Sequence, residues 1–142
     1  MLSVTCKTAI KAVVFLASKI DTDKKASIKE IAEDIDGSEH TVGKLLQKLV
    51  KANVINSSKG PTGGFYMTSK QMQIAIIQII EAIDGDAVFK ECGLGLSTCS
   101  SIRPCPIHND YKKVRDQFEQ FYKNKTVADL CKRVNNGSGF LM

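Results

Sequence analysis

Cys92, Cys99 and Cys105 fall within fourteen residues, and His108 follows three positions after the last of them. Three thiolates and an imidazole on one loop suit zinc or an iron–sulfur cluster, because both centres take sulfur and nitrogen ahead of oxygen. Residue types and spacing leave the two open, since three cysteines and a histidine are also an ordinary closed set for structural zinc. Gly93 and Gly95 let the loop wrap, Pro104 and Pro106 stiffen the third ligand, and Leu94, Leu96 and Ile102 are expected to form a partly dry shell. Cys131 reads as a core residue of the last helix.

The rest of the chain limits what such a site could serve. At 142 residues it holds one core, or a small domain with a helical arm. No stretch approaches the roughly 20 apolar residues of a membrane span, and Lys7 and Lys11 interrupt the apolar opening, so a cytoplasmic protein with no membrane partner is expected. There the five cysteines favour metal binding or redox chemistry over disulfides. An enzyme is not expected: with two histidines, no serine–histidine–acid grouping, no phosphate-binding glycine loop and no paired carboxylates, acid–base options are few. The net charge of +5 is uneven, with 11 lysines against 7 acidic residues in positions 1–70 and near balance beyond. That bias suits a phosphate-binding face as well as a solvated lysine-rich surface.

Apolar spacing sets out the elements that must carry these groups. Ala9, Ala12, Val13, Leu16 and Ile20 mark a first helix over Thr5 to Lys19. Ser27 and Glu30 match a capping box that opens a second helix with Ile28, Ile31, Ala32 and Ile35 inward. Gly37 interrupts it, and Ser38 caps a third helix running to about Ala52, with Val42, Leu45, Leu46, Leu49 and Val50 inward. A strand-like run Val54–Ser58, the turn Lys59-Gly-Pro-Thr-Gly-Gly64 and Phe65–Met67 then form a hairpin. Two short helices followed by a hairpin make a winged helix-turn-helix. An apolar helix over Gln71 to Ile83 follows, then the cysteine loop. Beyond it Ile107, Tyr111, Val114, Phe118, Phe121 and Tyr122 trace a stripe over four turns. A small winged helix has little core surface to spare for that stripe, so Tyr111, Val114, Phe118 and Phe121 are expected at a homodimer interface. Thr126 caps a last short helix. The fold class is thus mainly α with a small β-hairpin: a winged domain over 1–84, a cysteine-rich loop over 85–106, dimerisation and C-terminal helices over 107–135, and a flexible tail over 136–142.

In this architecture the third helix enters the major groove and the hairpin reaches toward the minor groove. Ser38, His40, Thr41 and Lys44 are the candidates for bases, Lys48 and Lys51 for phosphates, and Lys59, Gly60 and Gly63 for the wing. No arginine precedes Arg103, so the two-pronged arginine-to-guanine contact is absent from this half. A winged helix that binds a protein partner instead is the competing reading.

Over nearly its whole length the chain resembles the IscR/NsrR-type regulators, the Rrf2 superfamily of dimeric winged-helix transcription factors. The resemblance rests on the first helix, Ser27-Ile-Lys-Glu-Ile-Ala32, Leu45-Leu-Gln-Lys-Leu-Val-Lys-Ala-Asn-Val-Ile55 and Lys59-Gly-Pro-Thr-Gly-Gly-Phe-Tyr66. Lys59 stands where that family usually carries an arginine, and Thr41, Gly43 and Lys44 replace the Tyr, Glu and Gln common in IscR-like recognition helices, which implies a different operator. The resemblance implies double-stranded DNA with a two-fold-symmetric operator as partner, a homodimer, and a regulator, most commonly a repressor, that senses redox state, iron–sulfur status or nitric oxide. It also implies an iron–sulfur cluster on Cys92, Cys99 and Cys105, favoured over zinc. His108 stands at the fourth-ligand position of members with a 2Fe-2S cluster. Members with a 4Fe-4S cluster use a carboxylate from the partner's first helix, where this chain offers only Cys6.

Overall fold

The computed structural model describes residues 1–142. Helix α1 (Val4–Ser18) begins where the Ser3 hydroxyl accepts the Cys6 N–H at 3.0 Å. Its apolar residues from Ala12 to Ala17 are all buried, because α1 runs through the centre of the molecule against the other helices. Helix α2 (Ile28–Asp34) is capped by the Ser27 hydroxyl at 3.2 Å from the Glu30 N–H. Glu30 does not return the bond that a full capping box would need. The turn into α3 (Glu39–Lys51) is made by Asp36 at φ 52°, so the left-handed position falls on Asp36 and not on the neighbouring Gly37. Asp tolerates this conformation better than most residues.

Strands β1 (Asn56–Ser58) and β2 (Gly64–Tyr66) pair antiparallel with Ser57 opposite Phe65. The first strand is shorter than its apolar start implied, because Val54 and Ile55 turn into the core. Phe65 also exchanges both backbone hydrogen bonds with Ala26, at 2.8 and 2.9 Å, which fastens the wing to the segment before α2.

The apolar run Gln71–Ile83 is not one helix. A 3-10 turn (Gln71–Gln73) gives way to extended backbone at Ile74 and Ala75, and α4 (Ile76–Asp84) starts there. The break is imposed from a distance. Ile76 N–H donates to the Lys125 carbonyl at 2.8 Å and Val127 N–H to the Ile74 carbonyl at 2.9 Å, so Ala75 bridges to Thr126 while Gln78 caps the Ala75 N–H. A second 3-10 turn (Ala87–Phe89) leads into the cysteine loop. Helix α5 (His108–Lys123) lies mainly along α4 and that turn. Helix α6 (Val127–Asn135) carries a complete capping box, Thr126 with Asp129, and returns to pack on α1.

The core therefore joins both ends of the chain, with Val127 and Cys131 of α6 in the same apolar cluster as α1, α3 and α4. In the tail after α6 the Ser138 and Gly139 N–H groups close on the Arg133 carbonyl at 2.9 Å, and Leu141 packs back on the core. No helix is long and apolar enough to cross a membrane.

Candidate metal centre and nucleic-acid interface

The cysteine loop leaves α4 through Gly85 and rejoins the fold at the first turn of α5. Cys92 is buried just after Phe89, whose ring sits 5.7 Å from that of Phe118 on α5. A Cβ at Gly93 would strike the Tyr111 ring at 2.8 Å, so glycine is required where the loop slides beneath α5. Gly95, at φ 72°, closes the turn with its N–H on the Cys92 carbonyl at 2.9 Å. The N–H groups of Leu94 and Leu96 then point at the Cys92 sulfur. They hold its pKa below the ordinary thiol value, with smaller help from the Cys105 thiol and the Gly95 N–H.

The four sequence-predicted ligands lie toward this end of α5, and two of them touch. Cys99 Sγ lies 3.4 Å from His108 Nδ1, with the imidazole buried as the first residue of the helix. The Cys105 carbonyl accepts the His108 N–H at 3.0 Å, and the Cys105 thiol is near enough to Cys92 to help lower that thiol's pKa. No three His, Cys, Asp or Glu side chains meet closely enough to hold a single ion. The expected dry shell is not formed within the chain, because Leu94, Leu96 and Ile102 all face solvent.

Arg115 was missed by sequence reasoning. One of its terminal nitrogens donates to the Lys90 carbonyl at 3.1 Å, the Glu91 carbonyl at 2.7 Å and Cys99 Sγ at 3.2 Å. The side chain is 9% exposed, and its Nε has no partner. The available signal was its place seven residues after His108, two turns along the same face of α5.

Cys6 is fully buried beside Asp84, and burial, reinforced by that carboxylate, pushes its thiol up to about 12. Its sulfur lies inside this chain's own core and away from its surface. Cys131 is buried in the core, as expected, and burial raises its pKa as well.

The residues expected on DNA separate into an exposed face and its supports. His40, Lys44, Lys48 and Lys51 are exposed on α3, with Thr41 half-buried beside them. Ser38 caps α3, its hydroxyl 3.5 Å from the Thr41 N–H. Lys59 and Gly60 form the exposed wing tip, whereas a Cβ at Gly63 would lie 2.3 Å from the Ser58 carbonyl, so Gly63 is needed for the turn itself. The wing's base hangs on a second residue not foreseen, Gln71. Its buried amide donates to the Asn53 carbonyl and Asn56 Oδ1, both at 3.1 Å, and accepts from the Thr68 N–H at 2.9 Å. Tyr111, Val114 and Phe121 stay exposed on α5, but Phe118 is half-buried against Phe89 and Tyr122 of its own chain, because the helix rotates that position toward α4.

A family model described as Rrf2, iron-dependent transcriptional regulator, matches residues 2–133. The chain belongs to the Rrf2 family. An HTH-type transcriptional regulator of Aquifex aeolicus is 30% identical to this Rrf2 protein over 128 residues, 89% of this chain and 88% of that one. CymR, the global cysteine regulator of B. subtilis, has a similar fold with a TM-score of 0.76 at 21% identity, over 93% of this chain and 96% of the other. T. potens IscR gives 0.75 at 23% identity, over 98% and 91%. This Rrf2 protein is a winged-helix, DNA-binding transcriptional regulator and not an enzyme.

Proposed function

We propose that this regulator is a homodimer whose grip on a two-fold-symmetric operator is set by an iron–sulfur cluster held by Cys92, Cys99, Cys105 and His108. The observation that carries the reading is the contact of Cys99 Sγ with His108 Nδ1 at 3.4 Å, at a helix start whose N–H is held by the Cys105 carbonyl. Donors that do not converge on one point would suit a binuclear centre better than a single tetrahedral ion, which needs all four together. The 2Fe-2S type is therefore favoured, with 4Fe-4S and structural zinc as its competitors. The electrostatics also fit an anionic group: Cys92 is held toward thiolate by backbone N–H groups, and Arg115 is a buried cation with no carboxylate partner. When bound, a cluster supplies a one-electron redox centre open to nitric oxide and to iron loss, which is the signal this reading assigns.

The chain's own residues supply the link to DNA. His108 opens α5, so the last ligand and the exposed stripe Tyr111, Val114 and Phe121 belong to one rigid helix. A change at the loop is then felt at the surface where a second copy would pack. Anaerobic purification followed by iron, sulfide and zinc analysis tests the cluster. Iron with stoichiometric sulfide is the expected result, and zinc without sulfide overturns the reading. His108→Ala should leave an altered or labile cluster, and unchanged spectra would remove His108 as the fourth ligand. On DNA, Lys44→Ala should relax sequence choice while Lys48→Ala weakens all sequences alike.

A further inference from the structure

A buried guanidinium normally faces a carboxylate, because an unpaired charge away from water is costly. Arg115 has none. The ion pairs of the molecule are Lys90–Asp86, Lys112–Asp116 and Lys123–Glu119, all more exposed, and Arg115 instead spends one nitrogen on two carbonyls and a sulfur while its Nε goes unpartnered. Asp116, the next residue on α5, acts on this charge only from a distance, and the group in direct contact that favours it most is the Cys99 sulfur. The two carbonyls belong to Lys90 and Glu91, immediately before Cys92, and the sulfur belongs to Cys99, so one side chain on α5 spans the backbone leading to one ligand and the sulfur of another.

We propose that Arg115 is the resident counter-charge of the metal site, donating to the Cys99 sulfur so as to favour the reduced, more negative state of the cluster while tying the loop to α5. The proposal rests on the cluster reading above. Hydrogen bonds to ligand sulfur and nearby positive charge both raise a cluster's reduction potential. The sign follows: one-electron reduction adds a negative charge beside a cation, and removing the cation makes that electron harder to add.

The test is a dithionite titration of anaerobically purified full-length protein, followed by absorbance, with dithionite as the one-electron reductant. Arg115→Gln keeps a donor that can reach the loop carbonyls but removes the charge. It should lower the reduction equilibrium about tenfold, or about 59 mV for a one-electron couple. Arg115→Lys keeps the charge and loses the fork, so it should titrate close to wild type although circular dichroism melting shows both variants destabilised. A wild-type potential in Arg115→Gln, or an equal drop in both variants, overturns the proposal and leaves Arg115 a structural tether. Should Arg115→Gln fail to fold, Arg115→Met takes its place as the uncharged variant, with a drop of about tenfold supporting the proposal and a wild-type potential overturning it. Wild-type protein without sulfide would overturn the cluster reading and this proposal together, whereas a loaded cluster indifferent to Arg115 sinks only the latter.

Discussion

The five cysteines of this chain share a side chain and differ in nearly everything else, because their surroundings differ. Cys92 sits where backbone N–H groups favour its thiolate, while Cys6 is enclosed beside a carboxylate that opposes ionisation and lifts it to about 12. Since only thiolate is nucleophilic, Cys6 at pH 8 is ionised to the extent of roughly one part in ten thousand. Native apo-protein treated with iodoacetamide and digested for mass spectrometry should show Cys6 unmodified while Cys99 and Cys105 react, and denaturant should abolish the difference. The same shift has a stability consequence. Cys6 binds its proton more tightly when folded than at its ordinary value of 9.0, so this contribution is complete below about pH 9 and is lost as pH rises toward about 12. Thermal melts should fall over that window, and Cys6→Ala should flatten the fall. If the variant and the wild type lose stability in parallel, the environment assigned to Cys6 is wrong. The candidate metal ligands were legible as residue types because sulfur and imidazole carry their chemistry with them. Arg115 was not, since an arginine on a charged helix looks like any solvated residue until the loop it enters is known.

At the level of elements, local chemistry predicted the starts of helices well. Ser27, Ser38 and Thr126 all cap as their positions implied. The interruption at Ile74 and Ala75 was hidden, because an apolar run has the same pattern whether or not a strand-like bridge from Thr126, fifty residues away, cuts it. The hairpin was legible in its glycines, but its anchor was not. Gln71 looked like the polar start of a helix, and its value lies in satisfying Asn53, Asn56 and Thr68 at once. Replacing it with alanine would remove several part-buried hydrogen bonds, each worth on the order of 1 kcal/mol net. Gln71→Ala should therefore lose about 2 kcal/mol in urea unfolding and weaken DNA binding although it touches no DNA. Loss of affinity without loss of stability would place Gln71 on the DNA surface instead of beneath the wing.

For the whole molecule, the uncovered face of α5 ends where the cysteine loop begins, so the proposed assembly and sensing would share one helix. The heptad spacing of Ile107, Val114 and Phe121 shows why a second helix was expected there, and the inward turn of Phe118 shows where that reasoning overreached: periodicity marks an apolar face but not which neighbour covers each position. Val114→Glu and Phe121→Glu place charge at the centre of the remaining face. Sedimentation should find both variants monomeric, and affinity for a full operator should fall at least about a hundredfold as the two half-sites are no longer bound together. Dimers that survive both changes would move the interface elsewhere. The central claim is that the state of the Cys92, Cys99, Cys105 and His108 site governs DNA affinity, and fluorescence anisotropy on one duplex recovered from genome-wide binding addresses it most directly. Anaerobic loaded protein and the same preparation stripped of metal should differ in Kd by tenfold or more, and identical Kd values on that duplex would contradict the account.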